Sequence, residues 1–309
     1  MKMSPHACSL IIRFGRGATL RGGAIGAPGR PFGARDRCRG AALILAMLVA
    51  ALAATVAVAL AGDQQRWFAD VSNRRDQVQA QSLALAGVQW ARQILQEDAA
   101  HGTLDFLGEP WSYPLPPTPI ANGSIEGRIE DAQGRLNLNN VSLDGTAGAA
   151  ERMRLAQLFA SKGLDAKMLG GVAAIAPLVR TAEMTLVRGV SPEAWAALDP
   201  DIAALPEGTT LNINTANADV ISAVLPDLTG DKLASFIADR ASKPFTTMAE
   251  LRERLPKGVT PPEGTTFTFA SSYFIVSVRS QQGDAIAQAR ALLKRDGRGW
   301  PSVVWQTLE

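Results

Sequence analysis

Residues 41–62 read AALILAMLVAALAATVAVALAG, 22 positions without a charge. As an α-helix this stretch is about 33 Å long, enough to cross the hydrocarbon core of a bilayer. Outward in one direction lies Arg35-Asp36-Arg37-Cys38-Arg39-Gly40, and in the other Asp63 is the first charge. Residues 1–40 carry eight Lys/Arg and one Asp, a net of +7, which leaves 23 basic against 28 acidic residues, a net of −5, from 41 to 309. Basic residues before the span and none within it place the N-terminus in the cytoplasm and the rest across the membrane. A cleaved secretory signal is the competing reading, but its apolar core runs only about 7–15 residues.

Helical signal continues past the span. From Gln64 to Ala99 there is no proline, and Gly87 is the only glycine. Val71, Val78 and Leu85 recur every seven residues, as do Val88 and Leu95. The spacing predicts one helix over 41–99, apolar all round at first and then on one face, packed on a sheet of the same chain rather than in a coiled coil. Basic residues, then Gly40, then a long apolar helix is the layout of a type IV prepilin-like protein. Such leaders are cut after the glycine, here between Gly40 and Ala41. Pilins usually carry glutamate at the fifth mature position, and here it is Leu45. A leader of 40 residues is long for this class, and residues 1–34 read either as an over-extended reading frame or as a disordered tail.

After the helix, Trp111 to Pro119 holds four prolines and reads as a rigid crossover, too poor in N–H donors for a central strand. Residues 124–131 and 135–140 alternate polar and apolar around Asp131-Ala132-Gln133-Gly134, which predicts a β-hairpin. Helical patches then cover 150–160, 166–179, 183–188, 192–198, 218–224, 231–241 and 248–255. Strand signal returns at 266–269, 273–279 and 301–307, while 285–294 alternates in a way that fits strand or helix. The order is that of a helical block inserted into an α/β domain, with the flanking strands in one sheet.

Thr210-Leu211-Asn212-Ile213-Asn214-Thr215-Ala216 opens a helix-hairpin-helix pattern, with Asn214 or Thr215 as the cap of a helix near Asn217. Residues 183–198 resemble a partner copy. Such hairpins bind phosphate through Gly-hydrophobic-Gly, but here Asp227-Leu228-Thr229 stands in that place. A carboxylate repels phosphate, and threonine is strained if the turn needs positive φ. Residues 151–265 hold 14 acidic and 12 basic residues, the wrong sign for a nucleic-acid face. This favours a structural or protein-contact role over the alternative, a membrane-anchored helix-hairpin-helix DNA receptor. Enzyme chemistry is equally poorly supplied. Both cysteines, Cys8 and Cys38, lie in the basic leader, and the only histidine after it, His101, stands alone at a helix end. No acid/base or nucleophile constellation has a recognisable spacing.

In this order these stretches resemble the minor pseudopilin K family of type II secretion systems, the general secretion pathway protein K family. The resemblance covers about residues 35–309. It rests on the Gly40–Ala41 junction, Leu45 in place of glutamate, Trp90-Ala91, Gly127 to Asn140, Glu183 to Gly189 with Pro192, Leu205 to Ala216, Ser272-Tyr273-Phe274, and Leu292 to Gly297. It implies an α+β, type IV pilin-like fold: a long N-terminal helix packed on an antiparallel sheet, with a large inserted, mainly α-helical lobe of helix-hairpin-helix or SAM-like type. The implied division is a removed leader at 1–40, a transmembrane helix at 41–62, a first pilin-like part at 63–149, the inserted domain at 150–265 and a second pilin-like part at 266–309. The implied function is non-enzymatic: a tip subunit that nucleates or caps the pseudopilus and supports protein export, anchored once in the inner membrane with its bulk in the periplasm. The implied partners are minor pseudopilins I and J, other pseudopilins, prepilin peptidase and secreted substrates, with no nucleic acid. Ala46, Ala50, Ala53, Ala54 and Ala57 would let partner helices approach closely. Trp67, Val71, Val78 and Leu85 would either extend that contact or hold the chain's own sheet. Some family members bind calcium in the helical lobe through an acidic stretch. Here no acid stands between Asp165 and Glu183, so no metal is expected there, no cofactor is expected, and Asp199 and Asp201 are expected to be solvated surface or helix-end residues.

Overall fold

The computed structural model describes residues 36–261 and 267–309, with side chains from residue 41. The leader before Asp36, the Gly40 side-chain surroundings and the expected domain boundary at 265/266 lie outside the described residues. Helix α1 runs from Asp36 to His101, 66 residues. The chain divides into two compact units between Gln65 and Arg66. In the first, α1 is apolar on every side and exposed on nearly all of it, and the most apolar window of the helix has a mean hydropathy of 2.8.

In the second unit α1 lies on an antiparallel sheet of five strands, ordered β1 (Leu115–Ile120), β2 (Gly123–Asp131), β7 (Tyr273–Gln282), β8 (Ala285–Lys294) and β9 (Ser302–Leu308). The two-residue period of β7 and β8 sends Phe274, Val276, Val278, Ala287, Ala289, Ala291 and Leu293 to one face. Against it α1 sets Ala80, Ala84, Val88, Ala91 and Leu95, which follow one another at three- and four-residue spacing. Small residues meet small residues, so helix and sheet approach closely. At Gly87 a Cβ would stand 2.6 Å from a methyl of Val278. Val88 and Leu95 pack as expected, but Val71 and Val78 do not. Both are exposed, and the buried stripe is the alanine row, whose small side chains fit the shallow alanine face of β8.

One sequence expectation about the strands needs correction, and two become definite. The expected hairpin at 124–140 is not formed. The Asp131 carboxylate accepts the Gln133 N–H at 2.7 Å and turns the chain out of the sheet through a 3-10 turn at Ala132–Gly134. The next strand, β3 (Leu136–Asn137), pairs in parallel with β4 (Ile202–Ala203). Strand β2 pairs instead with β7, from Gly123↔Gln282 to Asp131↔Phe274. The proline-rich crossover is in part strand β1, and it lies at the sheet edge, where missing N–H groups cost no ladder bond. The ambiguous run 285–294 is strand, because its alternation matches one face of the sheet.

Between β2 and β7 come α2 (Gly145–Ser161), α3 (Met168–Ile175), α4 (Pro192–Leu198), α5 (Ala218–Val224), α6 (Gly230–Ser242) and α7 (Met248–Arg254). Of the expected helix 183–188, residues 183–186 lie in a 3-10 helix, Thr181–Leu186, rather than an α-helix. The core of this block runs from Leu136 to Phe267, wider than the expected 150–265. Strand β5 (Leu211–Asn212) pairs with β6 (Phe267–Thr268), so residues 267–268 serve this block and not the large sheet. A third cluster, including Ala203, Leu205, Tyr273, Ile275 and Leu292, packs the block on the sheet face opposite α1.

The closeness at Gly87 is testable. Gly87→Leu should overpack the helix–sheet contact and destabilise the second unit by about 2 kcal/mol. Thermal melting followed by circular dichroism checks this, and an unchanged midpoint would contradict the close approach.

Candidate functional site

The expected partner-binding residues all lie on α1. In the first unit Ala41, Leu45, Ala46, Ala50, Ala53 and Ala57 are exposed, and 46, 50, 53 and 57 share one helical face. That face is lined by methyl groups and allows close packing of another helix. In the second unit Trp67 (62% exposed), Val71 and Val78 are not held by the sheet. Phe68, which sequence reading did not single out, meets Trp67 edge to face at 5.3 Å and is equally exposed. A solvent-facing Trp-Phe pair just beyond an apolar span is the available signal, since aromatic rings favour interfaces.

The helix-hairpin-helix motif is occupied by internal bonds. Asn217, not Asn214 or Thr215, caps α5 by accepting the Val220 N–H at 2.9 Å. Asn214 instead exchanges two 2.9 Å hydrogen bonds with the backbone of Phe245. Arg240 is buried and donates to the carbonyls of Ile213 (2.7 Å) and Ala216 (2.6 Å). Burial lowers its pKa to about 10, well within the range where it stays charged. In the hairpin Leu228 is fully buried and Thr229 is extended at φ −127°. The left-handed residue is Gly230, at φ +56°, so the strain expected at Thr229 does not arise. Asp227 and Asp231 flank the turn and give it the wrong sign for phosphate.

Where α1 ends, β2 ends and β8 ends, the chain buries a connected set of polar groups. Asp105 is fully buried, and Asp131, Asn212, Ser271 and Arg295 are nearly so. Arg295 donates to both oxygens of Asp105 at 2.6 Å and to Asp98 at 2.7 Å. Asp105 also accepts the Ser271 N–H at 2.6 Å. Ser271 Oγ (2.6 Å), Thr215 Oγ1 (2.6 Å) and Asn212 Nδ2 (2.9 Å) all donate to Asp131. The network therefore joins the long helix, the sheet and the hairpin motif. Burial drives the Asp105 carboxyl up to about 7 despite Arg295, and burial raises Asp131 as well. Asp98, Asp105 and Glu109 place carboxylate oxygens within 4.8 Å of one another, the spacing of a cation site. Here the cation on two of them is the guanidinium of Arg295, and Glu109 accepts from Trp111 Nε1 (2.8 Å) and the Phe106 N–H (3.0 Å).

The calcium site of the family does not fit the residues present. Glu183 accepts the Val179 N–H, and Asp199 accepts from Thr181 and faces Arg290 at 3.4 Å. Asp199 stands at the C-terminal end of α4, one of the two expected readings, while Asp201 is not solvated. It is buried, 2.8 Å from Lys162 Nζ, and accepts from Asn217. These carboxylates are committed to different partners. Asp131 and Arg295 lie inside runs that carried the family resemblance, but Asp105 sits in a loop with no local pattern, so sequence reading missed it.

The junction predicts a pH dependence. The folded Asp105 carboxyl titrates above its unfolded value and holds a proton that the unfolded chain has lost. Its contribution to stability is then present at low pH and lost as pH rises towards 7. Asp105→Asn should make the fall in stability between about pH 4 and pH 7 shallower. Arg295→Met, which leaves Asp105 without its cation, should cost about 3–5 kcal/mol at neutral pH, with partial recovery in the double variant. Denaturant melts across pH check both, and equal slopes in wild type and Asp105→Asn would refute the assignment.

Comparison with known proteins covers most of the chain. The family model for type II secretion system (T2SS), protein K matches residues 211–267, from β5 to β6. Type II secretion system protein K of Pectobacterium carotovorum subsp. carotovorum is 26% identical over 85% of this chain and 94% of its own. That of Pseudomonas aeruginosa is 25% identical over 79% of this chain and 85% of its own. A chain of the crystal structure of the GspK-GspI-GspJ complex from enterotoxigenic Escherichia coli superposes with a TM-score of 0.59 at 18% identity, covering 78% of this chain and 99% of that one. The α+β pilin-like architecture is therefore shared, and in sequence this chain is similar to the type II secretion system K proteins.

Proposed function

We propose that this chain is the minor pseudopilin at the tip of a type II secretion pseudopilus, where it nucleates or caps assembly and supports export across the outer membrane. The observation that carries this reading is the 41–62 stretch of α1: an exposed, uncharged helix of membrane-spanning length with Leu45 at its fifth position after Gly40. In other pilin-like subunits a glutamate there neutralises the N-terminal amine of a neighbour within the bilayer, where an unpaired charge is costly. Leucine cannot supply that pairing to a subunit above. The helical block between β2 and β7 supports the same placement, because more than 100 residues on one subunit obstruct addition beyond it.

The remaining assignments follow from this reading. Prepilin peptidase cuts between Gly40 and Ala41. The span sits once in the inner membrane with the N-terminus cytoplasmic, and the pilin-like parts and the inserted domain lie in the periplasm. Minor pseudopilins I and J bind through the alanine face and the Trp67, Phe68 and Val71 surface, as suits a fold found in a complex of K, I and J proteins. The chain acts by assembly rather than catalysis, and secreted substrates are its cargo.

Two variants test the placement. Gly40→Val should abolish processing, since the added bulk obstructs the peptidase pocket; mass spectrometry of the mature N-terminus reads the outcome. Leu45→Glu should allow the chain to be incorporated along the fibre and alter pseudopilus length, as seen by immunogold microscopy. Wild-type chain spread along the whole fibre at the density of the major subunit would overturn the tip assignment.

A further inference from the structure

Beside the alanine contact, α1 and the proline-guarded edge strand β1 diverge and leave an open groove of about 530 Å³. Gly87 lines it where α1 presses directly on Val278 and Ile125. Its walls are aromatic. Trp111 is buried in the base, while Trp90 (48% exposed) and Tyr113 (66% exposed) stand open at the mouth. Exposed large rings beside an apolar cleft are the composition of a binding site rather than of ordinary surface.

The rim adds a sign. Asp98 and Glu126 face the groove, but Arg295 and Arg279 hold them at 2.7 Å and 3.2 Å. Arg128, the one arginine on the rim, shares Glu130 with Arg135, at 2.9 Å and 3.0 Å. Two rim carboxylates, Glu97 and Glu109, have no Lys or Arg partner among the described residues; Glu97 takes a hydrogen bond from Gln93, and Glu109 takes those of Trp111 and Phe106. The rim therefore has negative charge left over and no free arginine or lysine to match it. Aromatic faces at the mouth attract cations in their own right.

We propose that this groove seats a bulky apolar side chain from an extended segment of a partner protein that carries Lys or Arg beside that anchor. The anchor enters between Trp90 and Trp111. The cation stays at the rim, over Trp90 or Tyr113 and against Glu97 and Glu109. The site is formed wholly by the second unit, so it holds or fails independently of where the chain sits in a fibre.

The test uses the full chain in phosphatidylcholine nanodiscs and a fluorescein-labelled peptide, Gly-Ser-Leu-Arg-Phe-Lys-Ser-Gly, with empty nanodiscs as control. Fluorescence polarisation should show saturable binding that weakens about tenfold for Trp90→Ser and several-fold for Glu97→Lys, in line with loss of the anchor wall and of the rim charge. Both residues are exposed, so both variants should melt like wild type; Tyr113→Ser serves in place of either that does not. A peptide with Glu replacing Arg and Lys should bind at least about tenfold more weakly. Equal binding of the two peptides, or affinities unchanged in the variants, would overturn the proposal. Dimerisation of the free chain that Trp90→Ser abolishes would overturn it too, by making a second copy the occupant.

Discussion

Arg295 is the residue on which the two halves of the second unit depend. It leaves the end of β8 and, among the described residues, carries the guanidinium paired with both Asp98, at the end of α1, and fully buried Asp105. A buried carboxylate without a cation is among the most expensive things a protein can contain. Asp105 in turn fixes the backbone of Ser271, whose hydroxyl reaches Asp131, and Asp131 gathers Thr215 and Asn212 from the hairpin motif. Apolar contacts give the sheet and the helical block their separate cores. The polar chain specifies how they join, because hydrogen bonds are directional and apolar contacts are not.

That division explains how much of the molecule was legible in its sequence. The span at 41–62, the continuous helix and strands β7 and β9 rest on local composition and period, and they were readable. The helical patches at 192–198, 218–224, 231–241 and 248–255 match α4 to α7 within a residue or so. The hairpin at 124–140 was misread because Asp131 looked like a turn residue between two strands. Its carboxylate is engaged by groups 84 and 140 residues further along the chain, which no local pattern can show. The heptad valines misled for a related reason. Periodicity marks apolar residues, but the sheet face offered by β8 is a row of alanines, and it selects the small residues of α1 instead.

The candidate partner surfaces were legible only in part. Ala46, Ala50, Ala53 and Ala57 follow from helical spacing alone, whereas the exposure of Phe68 and the groove between α1 and β1 emerge only once α1 is seated on the sheet. The two edges of that sheet also differ. Strand β1 carries Pro116, Pro117 and Pro119, which remove the donors a further strand would need. The groove beside it can therefore accept a side chain without inviting the whole backbone of another molecule into the ladder.

The insertion of the helical block between two central strands has a consequence for how the chain reaches its fold. Strands β7 and β8 are joined by a tight turn, and β1 and β2 likewise, so each pair can form from neighbouring sequence. The pairing of β2 with β7 must bring together residues on the order of 150 positions apart, a closure that costs on the order of 4 kcal/mol in a disordered connection. A connection that has already collapsed around its own core is shorter than its residue count, because the chain enters at Leu136 and leaves at Phe267 as the ends of one packed body. The block thus sets the speed at which the central sheet can close. Substitutions inside its core would delay the pairing of two strands they never touch.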